Sequence, residues 1–340
     1  MLYSPVSVTQ RESIKTVGIV GPTAVGKTAV GVQLAALLDG AAEIVSVDSV
    51  QVYRGLDIGA AKPTVEERNA AAFSMIDVVD PDADYTLADY QREATAELSR
   101  IARQQRIALL VGGTGLYFRS ITTRLDIPHT PPDPAFRMRW QETARLKGAS
   151  AVREHLLSID PDATRTIHAN DIRRMIRAIE VYEKTGKPLS QWHRENAQAE
   201  QTPVPGRWLF CLGRDRQQLY EAIERRVDAM MAQGLVDEVA GLRERGYGSE
   251  LKSMQSLGYR RVNEYLDGKI SLKDAIDLTK NETKQYARRQ LIWFRADKRL
   301  TWIDTDGLSA AQIAARIFAS VNNKQSTNQW EDSSYESTPG

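Results

Sequence analysis

A single cysteine, Cys211, occurs in 340 residues. That scarcity excludes an internal disulfide framework and any zinc site built from several cysteines. Cys211 itself, inside Trp208-Leu209-Phe210-Cys211-Leu212, reads as a buried strand residue. Long apolar runs are also missing, so no segment is suited to cross a membrane as a helix. The first fifteen residues carry neither the apolar centre of a signal peptide nor an Arg-rich amphipathic stretch, so a cytoplasmic protein is expected. There is no excess of one charge: 45 Lys and Arg stand against 44 Asp and Glu, a net of +1 at pH 7. That excludes a uniformly basic nucleic-acid binder. The balance hides clusters of Lys and Arg around 137–147, 165–187 and 280–299, and such clusters hold phosphate backbones without a high overall pI.

What is present is organised around Gly21-Pro22-Thr23-Ala24-Val25-Gly26-Lys27-Thr28, which fits the phosphate-loop pattern G-x-x-x-x-G-K-[ST]. The apolar segment 17–20 before it predicts a buried strand, and the apolar-rich segment after it predicts a helix. A strand feeding such a turn aims backbone N–H groups and the positive end of a helix at one anion. Lys27 adds a full charge, and the Thr28 hydroxyl is placed to hold a magnesium ion. The loop implies phosphate or pyrophosphate, not ATP in particular. Strands are further expected at 43–47, 75–79, 107–111, 207–212 and 302–304. Working residues lie at the carboxyl ends of strands in open parallel sheets, which places Asp48 beside Lys27, although an Asp there can also cap a turn. No acidic residue ends the strand at 107–111; Gly112-Gly113-Thr114-Gly115 follows instead. Residues 51–68 read as a loop closing over a site.

Thr86 or Asp84 is expected to cap a helix over 87–104. After the proline-rich break at 129–136, Arg-rich helical segments run to Gly186 and Pro188, and 193–206 reads as a polar loop. The segment 128–200 is thus a mostly helical insertion domain in a discontinuous core of 1–127 and 201–322, and 323–340 reads as a disordered tail. On the helix opened by Asp215, Arg226 lies one step off the apolar face, which by itself favours solvent. On a long helix near 271–296, Lys280, Lys284, Arg288 and Arg295 form one basic stripe. The fold class is α/β: a P-loop NTPase-like core with a central parallel sheet flanked by helices, plus the insertion.

Six blocks stand in one order: GPTAVGKT, SVDSVQVYRGLDIGAAKP, LLVGGTGLYFRS, ANDIRRMIRAIEVYEKTGKPLS, SLGYRRVNEYLDG and ETKQYARRQLIWFR. On these the chain resembles the bacterial tRNA dimethylallyltransferases, or isopentenyltransferases, from about Val17 to Trp302. The resemblance implies transfer of a five-carbon allylic group from dimethylallyl pyrophosphate to the exocyclic amine of an adenosine beside the tRNA anticodon. By that likeness Gly21 to Thr28 hold the donor pyrophosphate together with Arg226, overturning the solvent reading of that arginine. Mg2+ is the implied cofactor at Thr28, Asp48 accepts the amine proton, and Thr23 touches the donor's bridging oxygen. The blocks implied to contact tRNA are Asp48, Ser49, Val50 and Gln51; Arg173, Arg174 and Arg177; Gln255, Gly258, Tyr259 and Arg260; and Thr283 to Gln290 with Lys284, Gln285, Arg288 and Arg289. Thr114 and Arg137 match two further RNA-contacting positions, and the insertion is expected to grip the anticodon stem. Val25, Ala60 and Gln255 depart from the family pattern, and a C-terminal Cys/His zinc module known from eukaryotic relatives is missing. The partners implied are the tRNA anticodon stem-loop and the donor, with no membrane, and the protein is expected to be a monomer. A P-loop small-molecule kinase, an adenylate isopentenyltransferase and a noncatalytic nucleotide-gated RNA switch are the rival readings. The first leaves the basic clusters unexplained, the second needs no helical insertion, and the third should tolerate loss of Asp48.

Overall fold

The computed structural model describes residues 15–123, 125–128, 130–199 and 207–332. The expectation about the first fifteen residues therefore falls almost wholly outside the described residues, as do the end of the expected polar loop and residues 333–340.

Six strands form one parallel sheet: β1 (Thr16–Val20), β2 (Ala42–Val47), β3 (Phe73–Ser74), β4 (Ile107–Gly112), β5 (Arg207–Gly213) and β6 (Thr301–Asp304). Their spatial order is β3-β2-β4-β1-β5-β6. β1 pairs with β4 on one side and β5 on the other. The chain leaves β1 towards β2, returns through β4 and crosses to β5, so the topology switches sides around β1. Ligands of open α/β sheets bind outside the carboxyl ends of strands at such a point. β1, β2 and β4 read as apolar runs because both faces are covered; Ile19, Ile44, Leu109 and Leu110 are each 0–1 % exposed.

Helix α1 (Lys27–Leu37) packs on one face with α14 (Ala310–Asp332). Val30, Leu34, Ile313 and Ile317 share a core there with Ile19, Leu109 and Phe210. On the other face lies α3 (Leu87–Arg103), opened by a capping box in which Thr86 and Asp89 satisfy each other's N–H groups. Of the two caps expected, Thr86 is the one used.

The strand expected at 75–79 is corrected. Pairing stops at Ser74, because Met75 and Asp77 take positive φ values of 62° and 57° and turn the chain away. Residues 78–79 pair instead with the loop at 52–54. The loop reading of 51–68 also needs amendment: a capping box on Thr64 and Glu67 opens the short helix α2 (Val65–Ala70).

The chain divides into two compact units, Met1–Phe118 with Val204–Gly340, and Arg119–Pro203. A further helix, α4 (Gly115–Thr122), follows β4. The second unit holds α5 (Pro134–Lys147), α6 (Ala149–Ile159), α7 (Pro161–Thr166), α8 (Ile172–Thr185) and α9 (Leu189–Ala199). Asp133, Asp160 and Asp171 cap three of them, and Gly186 ends α8 in the left-handed conformation. Helix α9 replaces the first part of the loop expected at 193–206, since nothing between Gln191 and Ala199 breaks a helix. Val152, Leu156, Met175 and Ile179 form this unit's own core.

The first unit is completed by α10 (Arg216–Ala232), α11 (Leu235–Glu244), α12 (Tyr259–Leu266) and α13 (Leu272–Ala296). Helix α14 runs on to Asp332, past the point where the tail was expected to begin; no Pro or Gly intervenes there to stop it.

Candidate active site

The phosphate loop joins β1 to α1. Gly26 stands where a capping side chain would be, at φ 98°, and no side chain caps α1. The first N–H groups of that helix are therefore free for an anion. Lys27 donates to the Pro22 carbonyl at 2.8 Å and so curls back over its own loop. Burial pushes its ammonium down to about 8; the charge of Arg226 acts the same way, and Asp48 and Cys211 partly oppose it.

Arg226 is half-buried and reaches this loop from α10. Burial lowers it, with Asp48 opposing. No carboxylate lies within ion-pair distance of Lys27 or Arg226 among the described residues. Two enclosed cations without a counter-ion are costly, and a dianionic group seated between them relieves both. The geometry thus overrules the solvent reading of Arg226.

Asp48 follows β2. Its Oδ1 accepts from the Val50 N–H at 2.8 Å and the Gln51 N–H at 3.3 Å. The turn-cap reading therefore holds for one oxygen, and Oδ2 has no such partner. Behind Asp48 lies a block of buried tyrosines: Tyr90 and Tyr117 stack at 3.9 Å, and Tyr90 donates to the Ser46 carbonyl. Burial raises both phenols, and the Asp48 charge adds to the effect. Tyr286 on α13 is pushed up to about 12, chiefly by burial and then by Asp48. These phenols remain neutral hydrogen-bonding groups around the carboxylate.

Two cavities meet at Arg226 and Met230, which line both. One, about 840 Å³, opens beside Lys27 and Thr28 and is bounded by Asp57, Lys62 and Arg68. The other, about 340 Å³, contains Thr23, Asp48, Ser49, Val50, Gln255, Gly258, Arg260, Tyr286 and Arg289. The loop at 55–63 contributes to both walls. It is pinned twice. The Lys62 side chain, 2 % exposed, reaches the Tyr53 carbonyl, Asp57 and Asp77. The Glu238 carboxylate on α11 accepts from the N–H groups of Asp57, Ile58 and Gly59 and from the Tyr259 hydroxyl at 2.6 Å.

Gln290 links the phosphate loop to β4: its Oε1 accepts from the Thr23 N–H and its Nε2 donates to the Gly113 carbonyl, each at 2.8 Å. A Cβ on residue 113 would lie 2.3 Å from that Nε2, so a side chain there would displace the Gln290 amide from this bridge. Thr114 accepts from the Ser49 N–H.

Several residues implied to contact RNA are thus occupied elsewhere. Tyr259 is fully buried, with its hydroxyl given to Glu238. Gln290 is 6 % exposed and held within the protein. The Gln51 side chain is turned inward to Ser46, Ala60 and Ala61. Lys284 is ion-paired with Glu224, and Arg260 with Glu282 at 2.7 Å. Gln285, Arg288 and Arg289 are exposed. In the second unit, Arg137 and Arg177 both grip Glu180, which is 0 % exposed, at 2.7 Å, while Arg173 and Arg174 are exposed. Glu238 gave no sequence signal; Lys62 lay inside a recognised block without a role of its own, and Tyr286 and Gln290 carried only the tRNA contact implied for their block.

The family described as IPP transferase matches residues 51–297, and one described as isopentenyl transferase matches residues 14–75. A tRNA dimethylallyltransferase of Carboxydothermus hydrogenoformans is 43% identical over 313 residues, which cover 92% of this chain and 99% of that one. The chain belongs to the tRNA dimethylallyltransferase family. Another tRNA dimethylallyltransferase, from Roseiflexus sp., is 45% identical over 304 residues, 89% of this chain and 97% of that one. Among solved structures, the tRNA isopentenylpyrophosphate transferase of Bacillus halodurans superposes with a TM-score of 0.66 at 37% identity, covering 93% of this chain and 99% of that one. A eukaryotic dimethylallyltransferase described as acting on tRNA gives a TM-score of 0.77 at 26% identity, covering 93% of this chain and 80% of the other. Membership in this family makes the protein a prenyl-transferring enzyme rather than a small-molecule kinase. Among the described residues no helix is long and apolar enough to cross a membrane.

Proposed function

We propose that this protein transfers the dimethylallyl group of dimethylallyl pyrophosphate to the exocyclic amine of the adenosine on the 3′ side of the tRNA anticodon, releasing pyrophosphate. The observation that carries the reading is the pair of unpaired cations, Lys27 and Arg226, facing Asp48 where two cavities meet. The larger cavity would take the donor and the smaller one the extruded base. A carbon–nitrogen bond forms to the allylic carbon as its carbon–oxygen bond breaks. Charge gathering on the departing pyrophosphate meets Lys27, Arg226 and the N–H groups of residues 24–28. An adenine amine is a weak nucleophile, so Asp48 aligns it by hydrogen bonding and takes its proton. Thr23, held through its N–H by Gln290, stands at the same junction.

The residues fit a divalent ion, and Mg2+ is the reading we favour. Among the described residues no group of three or more His, Cys, Asp or Glu gathers to hold a metal. Magnesium keeps waters and substrate phosphates as most of its ligands, so the single Thr28 hydroxyl at the loop suffices on the protein side. The ion would supply further positive charge against the phosphates.

Asp48, Ser49, Val50, Gln255, Gly258, Arg260 and Arg289 line the smaller cavity, and single-stranded RNA loops are read at such base-sized openings. Arg173 and Arg174 on α8 would meet the stem backbone. The test is direct. Purified protein with the donor, Mg2+ and a tRNA bearing adenosine beside the anticodon should yield prenylated adenosine, detected by nucleoside mass spectrometry after digestion. No mass increase on tRNA adenosine refutes the proposal, and an increase only on free AMP replaces it with the adenylate-directed reaction.

A further inference from the structure

A third cavity, about 800 Å³, lies at the carboxyl ends of β5 and β6, between α10 and α13. Of the residues implied above to contact donor or tRNA it touches only Arg288. Its walls carry Arg214, Arg216, Arg288 and Arg295, with Tyr220 and Trp302. The basic stripe noted in the sequence splits here. Lys280 and Lys284 are spent on Asp228 and Glu224 of α10. Arg288 and Arg295, farther along the same helix, have no carboxylate within ion-pair distance among the described residues, nor do Arg214 and Arg216. The three aspartates at the rim are engaged by backbone: Asp215 caps α10, Asp306 accepts from the Asp215 N–H, and Asp304 accepts from the Asp306 N–H. The Arg214 Nε is buried without a hydrogen-bond partner. Trp302 is 40% exposed, although a tryptophan on an edge strand is ordinarily covered. Arg216 lies over the Tyr220 ring, 5.5 Å from its centre.

Several unpaired guanidiniums beside an open indole suit a phosphate joined to a flat base. Single-stranded nucleic acid is held in that way, by arginines along the backbone and aromatic rings under the bases. Helix α13 connects the two places. Its Thr283, Tyr286 and Arg289 line the base-sized cavity, and its Arg288, Leu291 and Arg295 line this one. From Tyr286 to Arg295 is nine residues, about 14 Å of helix. We propose that this cavity is a second RNA-binding site, which holds an unpaired nucleotide of the same tRNA a few positions from the one modified. The proposal rests on the tRNA reading above.

The test measures binding of an anticodon stem-loop to donor-loaded protein across a salt series. An Arg214→Gln/Arg295→Gln double variant should lower the slope of log affinity against log salt by about 1.4 in magnitude, about 0.7 for each single-strand phosphate no longer neutralised. Trp302→Ala should weaken the stem-loop about fivefold or more, as loss of one stacked base does. Donor affinity and melting temperature should hold in both. Unchanged stem-loop affinity and slope overturn the site. A variant that loses donor affinity equally points to a structural role and also overturns it. If the double variant fails to fold, Trp302→Ala decides alone. Loss of AMP binding with the stem-loop retained makes the cavity a free-nucleotide site, contrary to the proposal. Wild-type turnover is followed in parallel: absence of prenylated tRNA from the wild type sinks the proposed reaction, whereas normal turnover with indifferent variants sinks only the second site.

Discussion

Lys27 makes donor binding a proton-linked event. In the free protein burial holds its ammonium near 8, with Arg226 pushing the same way. A bound pyrophosphate reverses the balance and restores the ammonium to its ordinary range or above. The donor then binds only the protonated fraction well. Donor affinity is therefore flat below pH 7, about half its plateau at pH 8, and about tenfold below it at pH 9, because each unit above the free pKa removes tenfold of the competent form. Calorimetry at pH 8 in two buffers of different protonation enthalpy should show uptake of about half a proton per donor bound, and about a tenth at pH 7. Lys27→Arg keeps its charge throughout, so whatever affinity it retains should lose this pH dependence. Stability follows the matching sign. A lysine whose folded pKa is depressed contributes stability above its unfolded pKa near 10.4, and that contribution is lost as pH falls through about 8. At neutral pH the free protein thus carries a destabilising charge, and Lys27→Met should raise its melting temperature while abolishing donor binding. Proton uptake that is absent at pH 8, or equal in wild type and Lys27→Arg, refutes this account.

Asp48→Asn should lower turnover by about a hundredfold or more with donor affinity little changed, since positioned proton acceptors contribute on that scale; a single-turnover assay separates the two. Gln290→Ala leaves the Thr23 N–H and the Gly113 carbonyl without their buried partner, at about 1–3 kcal/mol each, and should raise the donor KM as well as lower stability. Glu238→Ala frees the loop at 55–63 by removing four hydrogen bonds, and limited proteolysis should cut that loop in the variant but not in the wild type. In the second unit, burial opposes ionisation of Glu180, but Arg137, Arg177 and the Asp133 N–H outweigh it and hold the carboxyl below its ordinary range. Its contribution is present above the unfolded value near 4.3 and fades as pH falls through the lower folded one. Glu180→Ala, which removes the shared partner of two partly exposed arginines, should cost about 1.5–3 kcal/mol of that unit's stability at neutral pH, read from urea unfolding followed at Trp140.

The legible parts of the fold were those in which one local rule acts alone. The loop at 21–28, the strands at 17–20, 43–47 and 107–111 and the caps at Thr86 and Asp215 follow from short-range chemistry, and the structure has them. The strand expected at 75–79 failed because Met75-Ile76-Asp77-Val78-Val79 is apolar enough to pair, yet Asp77 is claimed by Lys62 and Arg68 across a turn. Such a claim depends on residues distant in sequence. The same limit hid Glu238, an acidic residue on a short helix whose importance comes from the Tyr259 hydroxyl and three backbone N–H groups 179–181 residues away.

Basic residues show the limit most clearly, and partner accounting resolves it. In the sequence Lys280, Lys284, Arg288 and Arg295 are four equal members of a stripe, Arg137 and Arg174 are two more cations in clusters, and Arg226 stands outside them. The folded chain sorts them by whether a carboxylate is near. Arg137 completes a buried triad with Glu180 and Arg177, so its replacement tests stability before it tests RNA. Lys280 and Lys284 tie α13 to α10 and thereby fix the wall from which Tyr286 and Arg289 face the base-sized cavity. Arg226, Arg288 and Arg295 are left over, and each lines a cavity. Burying or crowding a cation without a counter-ion lowers stability, so a protein keeps such groups where a ligand supplies the missing charge. On that argument neutralising Lys280 should lower melting temperature and leave the salt dependence of RNA binding intact, whereas neutralising Arg295 should do the reverse. The two substitutions lie fifteen residues apart on one helix, and identical behaviour in both assays would defeat the distinction between them.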